Sequence, residues 1–354
     1  MVKGKGDSLW DLGIEQHAKL SSDSSSEEKH LLVLGNKNAG KTTLVLRFLD
    51  RDETPKPTTA LEYTFGRRAK GHNSVKDVGH IWELGGGANM CKLIDTVISA
   101  KNILDMSILL TVDLSTPNDM WLTFEALHSY LTNRIETSLT EAARKDNSLW
   151  DKVTARVKER LGGDHMDQEM LESCKVPLVI VGTKFDLFQE FDPEKKKVIV
   201  KSLRFLAHTY GASLIFTSVK IESSVNKVRS LISSLVFGTQ TNKSIQMDHG
   251  KPLVIPAGSD SFQNIGSPPL PDSDVGSISA RSPVELWKQA FTKYFPQNSI
   301  RNKHADDPSK DVQFSEPVID KLRLEKDNEL DRYRKASERK MIELEKQAIQ
   351  DGLM

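Results

Sequence analysis

Between residues 30 and 238, apolar runs alternate with stretches of helical periodicity. LLVLG (31–35), HIWEL (80–84), MSILLTVDL (106–114), VPLVIVGTK (176–184) and ASLIFTS (212–218) are nearly continuous in apolar residues. Strands with one wet face alternate apolar and polar residues, whereas continuous runs are covered on both faces. Helical spacing between the runs therefore predicts an α/β fold with a mostly parallel central sheet. The stretch from Asp113 to Thr183 is long, 70 residues. A charged helical portion at 119–161 and the polar GGDHMDQE (162–169) predict an insertion at about 119–170. It should hold one or two helices and an exposed segment.

The flanks have a different character. Residues 1–29 read as a short amphipathic helix over 8–20, capped by Ser8, followed by the Ser-rich linker SSDSSSEE. Residues 239–281 are rich in Pro, Gly and Ser and should be extended. SPVELWKQAFTKYFP (282–296) starts a helix with Ser282 as cap, Pro283 in the first helical position and Glu285 completing a capping box. Val284, Trp287, Phe291 and Tyr294 fall on one face, with Phe295 beside them. That face either packs on the parent domain or docks a partner, and these five are the candidate partner-docking residues. Residues 297–354 read as a linker and a charged helix over 316–350. There Ile319, Leu330 and Met341, and likewise Leu322, Tyr333 and Leu344, recur every 11 residues, a narrow stripe on a nearly straight helix.

Composition narrows the possible functions. Lys plus Arg equals Asp plus Glu, 49 each, so the chain lacks the basic field that non-specific nucleic-acid binding requires. Two cysteines, Cys91 and Cys174, form no disulfide framework and lack metal-site spacing. The sequence shows no signal peptide, no run near the ~18 apolar residues of a membrane span and no lipidation box, so no direct membrane anchor is expected.

The chemistry begins at the first apolar run. Gly35-Asn-Lys-Asn-Ala-Gly40-Lys41-Thr42 satisfies G-x-x-x-x-G-K-[ST] between a strand and a helical pattern. In such a loop, backbone amides of Gly35, Asn38, Ala39, Gly40 and Thr43 converge on phosphate oxygens. Lys41 reaches the β- and γ-phosphates, and the Thr42 hydroxyl faces Mg²⁺. Thr183-Lys184-Phe185-Asp186 ends a later strand and matches [NT]-K-x-D. A carboxylate at Asp186 accepts from N1–H and the N2 amine of guanine and repels the N1 lone pair of adenine. Ser218-Val219-Lys220 follows the next strand, where a base-contacting loop belongs. In this order the motifs predict a Ras-like P-loop GTPase fold with GTP or GDP and Mg²⁺ as ligands. Hydrolysis is expected to be absent or slow. Where related folds carry Asp-x-x-Gly-Gln, this chain has Glu83-Leu84-Gly85-Gly86-Gly87. Glu83 would face magnesium through water, and Gly87 has no side chain to orient one. Thr58 is the candidate first-switch threonine and metal ligand, with Thr59 competing.

Several stretches resemble the dynein light intermediate chain family in its dynein 2 branch: GNKNAGKTT, LDRDETPKPTTALEYTFGRRAKGHN, WELGGG, VDLSTPND, KSLRFLAHTYGASLIFTS, and DSFQNIGSPPLP followed by SPVELWKQ. The resemblance spans roughly 30–296. It implies a non-catalytic subunit of a microtubule motor, whose Ras-like domain packs on the tail of the cytoplasmic dynein 2 heavy chain. Other dynein 2 and intraflagellar-transport subunits would be partners. The implied setting is cytoplasm, cilium, basal body and centrosome region. The alternative from the guanine pocket alone is a regulatory GTP-binding switch of ciliary trafficking with slow hydrolysis.

Overall fold

A computed structural model describes residues 28–69, 77–163, 165–240, 244–269, 280–298, 316–350 and 352. The helix expected over 8–20 lies outside the described residues, as does most of its linker. Residues 1–301 and 302–354 form two separate units.

The five apolar runs all become strands: β1 (Lys29–Gly35), β3 (Asp77–Leu84), β4 (Met106–Asp113), β5 (Leu178–Thr183) and β6 (Ser213–Phe216). They pair in parallel, β1 with β3 and β4, β4 with β5, and β5 with β6. The sheet also gains two antiparallel edges. β2 (Leu61–Arg68) pairs with β3, and β7 (Val254–Ile255) pairs with β6. The strand order is β2-β3-β1-β4-β5-β6-β7. The continuous apolar runs are explained by burial on both faces. Leu32 and Leu34 of β1 enter one core, and Leu31 and Val33 enter the other. Each such side chain contributes about 1.5–3 kcal/mol by leaving water.

Helix α1 (Lys41–Phe48) follows β1. The insertion folds as two helices, α2 (Met120–Ala143) and α3 (Leu149–Arg160). The buried side of α2 carries Trp121, Phe124, Leu127, Leu131, Ile135 and Leu139, the spacing of one helix face. Its first turn has no side-chain cap of its own. The Gln297 Oε1 accepts instead from the N–H of Trp121 at 2.9 Å and of Leu122 at 3.4 Å. Helices α4 (Pro193–Thr209) and α5 (Glu222–Phe237) complete the layers.

Two expectations are corrected here. The segment after residue 238 is largely extended, as its composition suggests, but it contributes β7 and a helical turn over Phe262–Ile265. Helix α6 (Pro283–Tyr294) spends its apolar face on the parent domain. Trp287, Phe291 and Phe295 are buried, and Val284 and Tyr294 pack partly buried against the same core. Trp287 stacks on Phe205 of α4 at 4.5 Å, and Phe291 lies 5.5 Å from Trp121 of α2. For Trp287, Phe291 and Phe295 the packing alternative holds, which removes them as partner-docking residues, while Val284 and Tyr294 are only half-covered by the same core. The cap holds as expected, with Ser282 Oγ accepting from the Glu285 N–H at 3.2 Å. The Glu285 carboxylate, however, reaches the N–H of Arg281 at 2.9 Å rather than that of Ser282.

Taken by itself, the second unit contains α7 (Pro317–Gln350), a single long helix. Ile319, Leu322, Leu330, Tyr333, Met341 and Leu344 are all exposed on it.

Candidate nucleotide site

The phosphate loop joins β1 to α1. Asn38 and Gly40 adopt left-handed backbone, φ 63 and 81, and Gly35 has φ 145. At Gly35 a Cβ would come within 2.1 Å of Thr111 Oγ1, so only glycine fits. Helix α1 begins at Lys41 with Gly40 as cap and no side-chain bond to its first N–H groups, which leaves them for an anion. Lys41 is buried, and its ammonium donates to the carbonyls of Gly35 at 3.1 Å and Asn36 at 2.8 Å. Burial pushes its pKa down, while the Glu83 carboxylate opposes that shift. A cleft of about 220 Å³ opens beside it, lined by Asn38, Ala39, Gly40, Lys41, Thr42 and Thr43 of the loop and by Thr58, Glu83, Gly85 and Gly86 opposite.

The three candidate metal ligands meet, from α1, the loop before β2 and the end of β3. The Thr42 hydroxyl donates to Glu83 Oε1 at 2.7 Å and the Thr58 hydroxyl to the same oxygen at 2.9 Å. The two hydroxyl oxygens are 3.5 Å apart. Thr58, and not the exposed Thr59, is the threonine brought into the site. Burial pushes the Glu83 carboxyl up, and hydrogen bonds from Thr42 and Thr58 pull it back. These three groups are the expected magnesium set, and each hydroxyl can give its proton to Glu83 while its oxygen lone pairs face an ion.

The base half is assembled from β5, β6 and the turns after them. Thr183 takes a structural part. Its hydroxyl is shared between the carbonyls of Ala39 at 2.9 Å and Val112 at 3.2 Å, fastening the phosphate loop to the sheet. Lys184 sits in left-handed backbone, φ 55, and its ammonium pairs with Asp113. Asp186 accepts from Ser218 Oγ at 2.7 Å and pairs with Lys220 Nζ at 2.8 Å. Lys220, then Ser218, hold its carboxyl below the usual carboxylate range. Val219 is exposed between them. Guanine would meet a carboxylate that is ionised and aimed, with the mobile tip of Lys220 to displace.

Gly86 and Gly87 both adopt left-handed backbone, φ 68 and 61. A Cβ on Gly87 would lie 3.0 Å from Asn36 Oδ1. The position that would carry a water-orienting glutamine is thus a left-handed turn facing the phosphate loop, relaxed for glycine and strained for any side chain.

Asp113, Asn36, Glu62 and Gly85 belong to the site and were not singled out as site residues from the sequence. Glu62 Oε2 lies 3.2 Å from the Thr58 hydroxyl, as an alternative acceptor for the proton that Glu83 receives. GGDHMDQE, expected to be exposed, contributes a buried group. Asp167 bonds His208 of α4 at 2.8 Å and the Phe262 N–H at 2.9 Å. Asp260 beside it forms a two-pronged pair with Arg204 at 2.7 Å. His165, Asp167 and His208 lie close enough together to suggest a metal. Both ring nitrogens of His165 are already engaged, however, one by the Asp167 N–H and one by the Asp260 carbonyl. The cluster is a latch tying residues 255–262 to α4.

Strand order, phosphate loop and TKFD turn together define a P-loop protein of the Ras-like class. The model of the family described as "Dynein light intermediate chain (DLIC)" matches residues 4–162 and 164–267, and the chain belongs to that family. It is 48% identical over 347 residues to cytoplasmic dynein 2 light intermediate chain 1 of Danio rerio, covering 95% of this chain and 96% of that one. With the Homo sapiens protein of the same name it shares 44% over 348 residues, covering 96% and 99%. Cytoplasmic dynein 1 light intermediate chain 1 of Mus musculus is more distant, at 22% over 74% of this chain and 55% of its own length. The crystal structure of a dynein light intermediate chain's conserved domain shares the fold, with TM-score 0.51 and 18% identity over 75% of this chain and 89% of that one.

Proposed function

We propose that this chain is a non-catalytic accessory subunit of the cytoplasmic dynein 2 motor. It binds and stabilises the heavy-chain tail and supports retrograde intraflagellar transport and cilium assembly. Its G domain is a brace that retains a guanine-nucleotide pocket without turnover. The carrying observation is near-full-length likeness to proteins named as dynein 2 light intermediate chains, 44–48% identical. The geometry at Gly87 supports the absence of turnover, since no side chain there can align an attacking water.

Lys41→Ala tests the reading. The variant should stay folded, lose nucleotide and still co-purify with the heavy-chain tail at wild-type stoichiometry. Release of the heavy chain by a folded Lys41→Ala protein would refute the brace. The competing reading is a regulatory GTP-binding switch with slow hydrolysis, favoured by the convergence of Thr42, Thr58 and Glu83 in an open cleft. It requires measurable GTP turnover that a partner accelerates, and heavy-chain affinity that differs between GTP and GDP.

A further inference from the structure

The two hydroxyls that a nucleotide-bound magnesium would gather are already gathered by one oxygen of Glu83. Glutamate is one methylene longer than the aspartate usual at this place, and that length carries the carboxylate into the space between them. Two backbone features reinforce the contact. The Gly85 N–H donates to the Ala60 carbonyl at 2.6 Å. A Cβ on Gly85 would lie only 2.3 Å from the Thr58 carbonyl oxygen, so the loop closes on this strand end because position 85 is bare. The Thr58 hydroxyl also lies within reach of Glu62.

We propose that Glu83 stands in for the divalent cation: its carboxylate holds the Thr58 loop shut against α1, so that this loop is closed with or without magnesium and with or without nucleotide. In a switch protein the threonine is held by the metal and is released with it. Here the tie is covalently part of the sheet and cannot leave. The hydroxyls can keep their protons on Glu83 while their lone pairs stay open to a cation, so the tie neither needs an ion nor is undone by one. Buried near Lys41, the carboxylate keeps a cationic neighbour without any added ion. The inference deepens the brace reading but is separable from it, since it concerns loop closure and not heavy-chain binding.

Hydrogen exchange at the Gly85 N–H, which the closed loop ties to the Ala60 carbonyl, tests it in the full chain, with EDTA, with Mg²⁺ alone, and with Mg²⁺ plus GDP or GTP. The expected result is slow exchange in every condition, within about twofold, whether or not nucleotide binds. Glu83→Ala should speed exchange there at least tenfold while β1, β4 and β5 keep their protection. Should Glu83→Ala not fold, Thr58→Val and Gly85→Ala probe the same closure from the other side, and each should give the same local acceleration. Exchange that is fast in EDTA and slowed more than tenfold by Mg²⁺, alone or with nucleotide, would mean that the cation does the closing and would overturn the proposal. So would unchanged protection of the Gly85 N–H in folded Glu83→Ala.

Discussion

His128 sits on α2 with its ring 3.7 Å from that of Tyr210 and 5.6 Å from that of Phe124, and its buried Nε2 has no hydrogen-bond partner. Burial pushes the imidazole from 6.5 down to about 4. A histidine with a depressed folded pKa supports the fold above its unfolded value and stops doing so as pH falls through the folded one. The domain should therefore lose roughly 2–3 kcal/mol between about pH 6.5 and pH 4 from this residue. His128→Phe keeps the stacking and removes the proton uptake. The gap between urea midpoints at pH 7 and pH 4.5 should narrow in the variant, with His30 and His208, whose pKa values burial also lowers, keeping part of it; an unchanged gap would refute the assignment. At this same scale the sequence was most informative where a motif constrains a single atom, as at Lys41, Thr42 and Asp186. It was silent on Asp167, whose partners His208 and Phe262 lie 41 and 95 positions away. No local pattern marks such a pair.

The parallel strands were legible because burial on both faces leaves unbroken apolar runs. β2 was not, since LEYTFGRR mixes charged and aromatic residues and most of its side chains stay exposed or half-buried at a sheet edge. β7 is two residues long and exists only because β6 offers it a partner. Helix α6 shows the converse limit: periodicity identified its apolar face but could not say what covers it. Since that cover is α4 and α2, Trp287→Ala should destabilise the domain by about 3–5 kcal/mol, the cost of removing a large aromatic from a packed core. Chemical denaturation measures it. A loss below about 1 kcal/mol would show that the helix leaves the domain in solution.

At the level of the whole molecule, residues 302–354 stand as their own unit, and the described side chains of α7 are exposed along its length. Removing 316–354 should leave the unfolding free energy of the remainder, read from urea denaturation, unchanged to within about 0.5 kcal/mol, as for surface changes that touch no core. A larger loss would reveal a stabilising contact made by this helix. The end of the G domain expected at 238 falls inside the first unit, 1–301. The segments beyond supply β7, the Asp260 and Phe262 contacts and the Trp287 plug.

Gln297 makes that border a practical matter. Its amide oxygen receives the opening N–H groups of α2 from more than 170 positions away, and its amide nitrogen donates to Pro117 at 3.0 Å. A recombinant piece trimmed at 238 to isolate the nucleotide pocket would uncap the first turn of the insertion helix and bare the hydrophobic socket under Trp287. Low yield or weak nucleotide uptake by such a piece would then report on the trimming rather than on the pocket, and the shortest fragment that carries its own closure runs to residue 298.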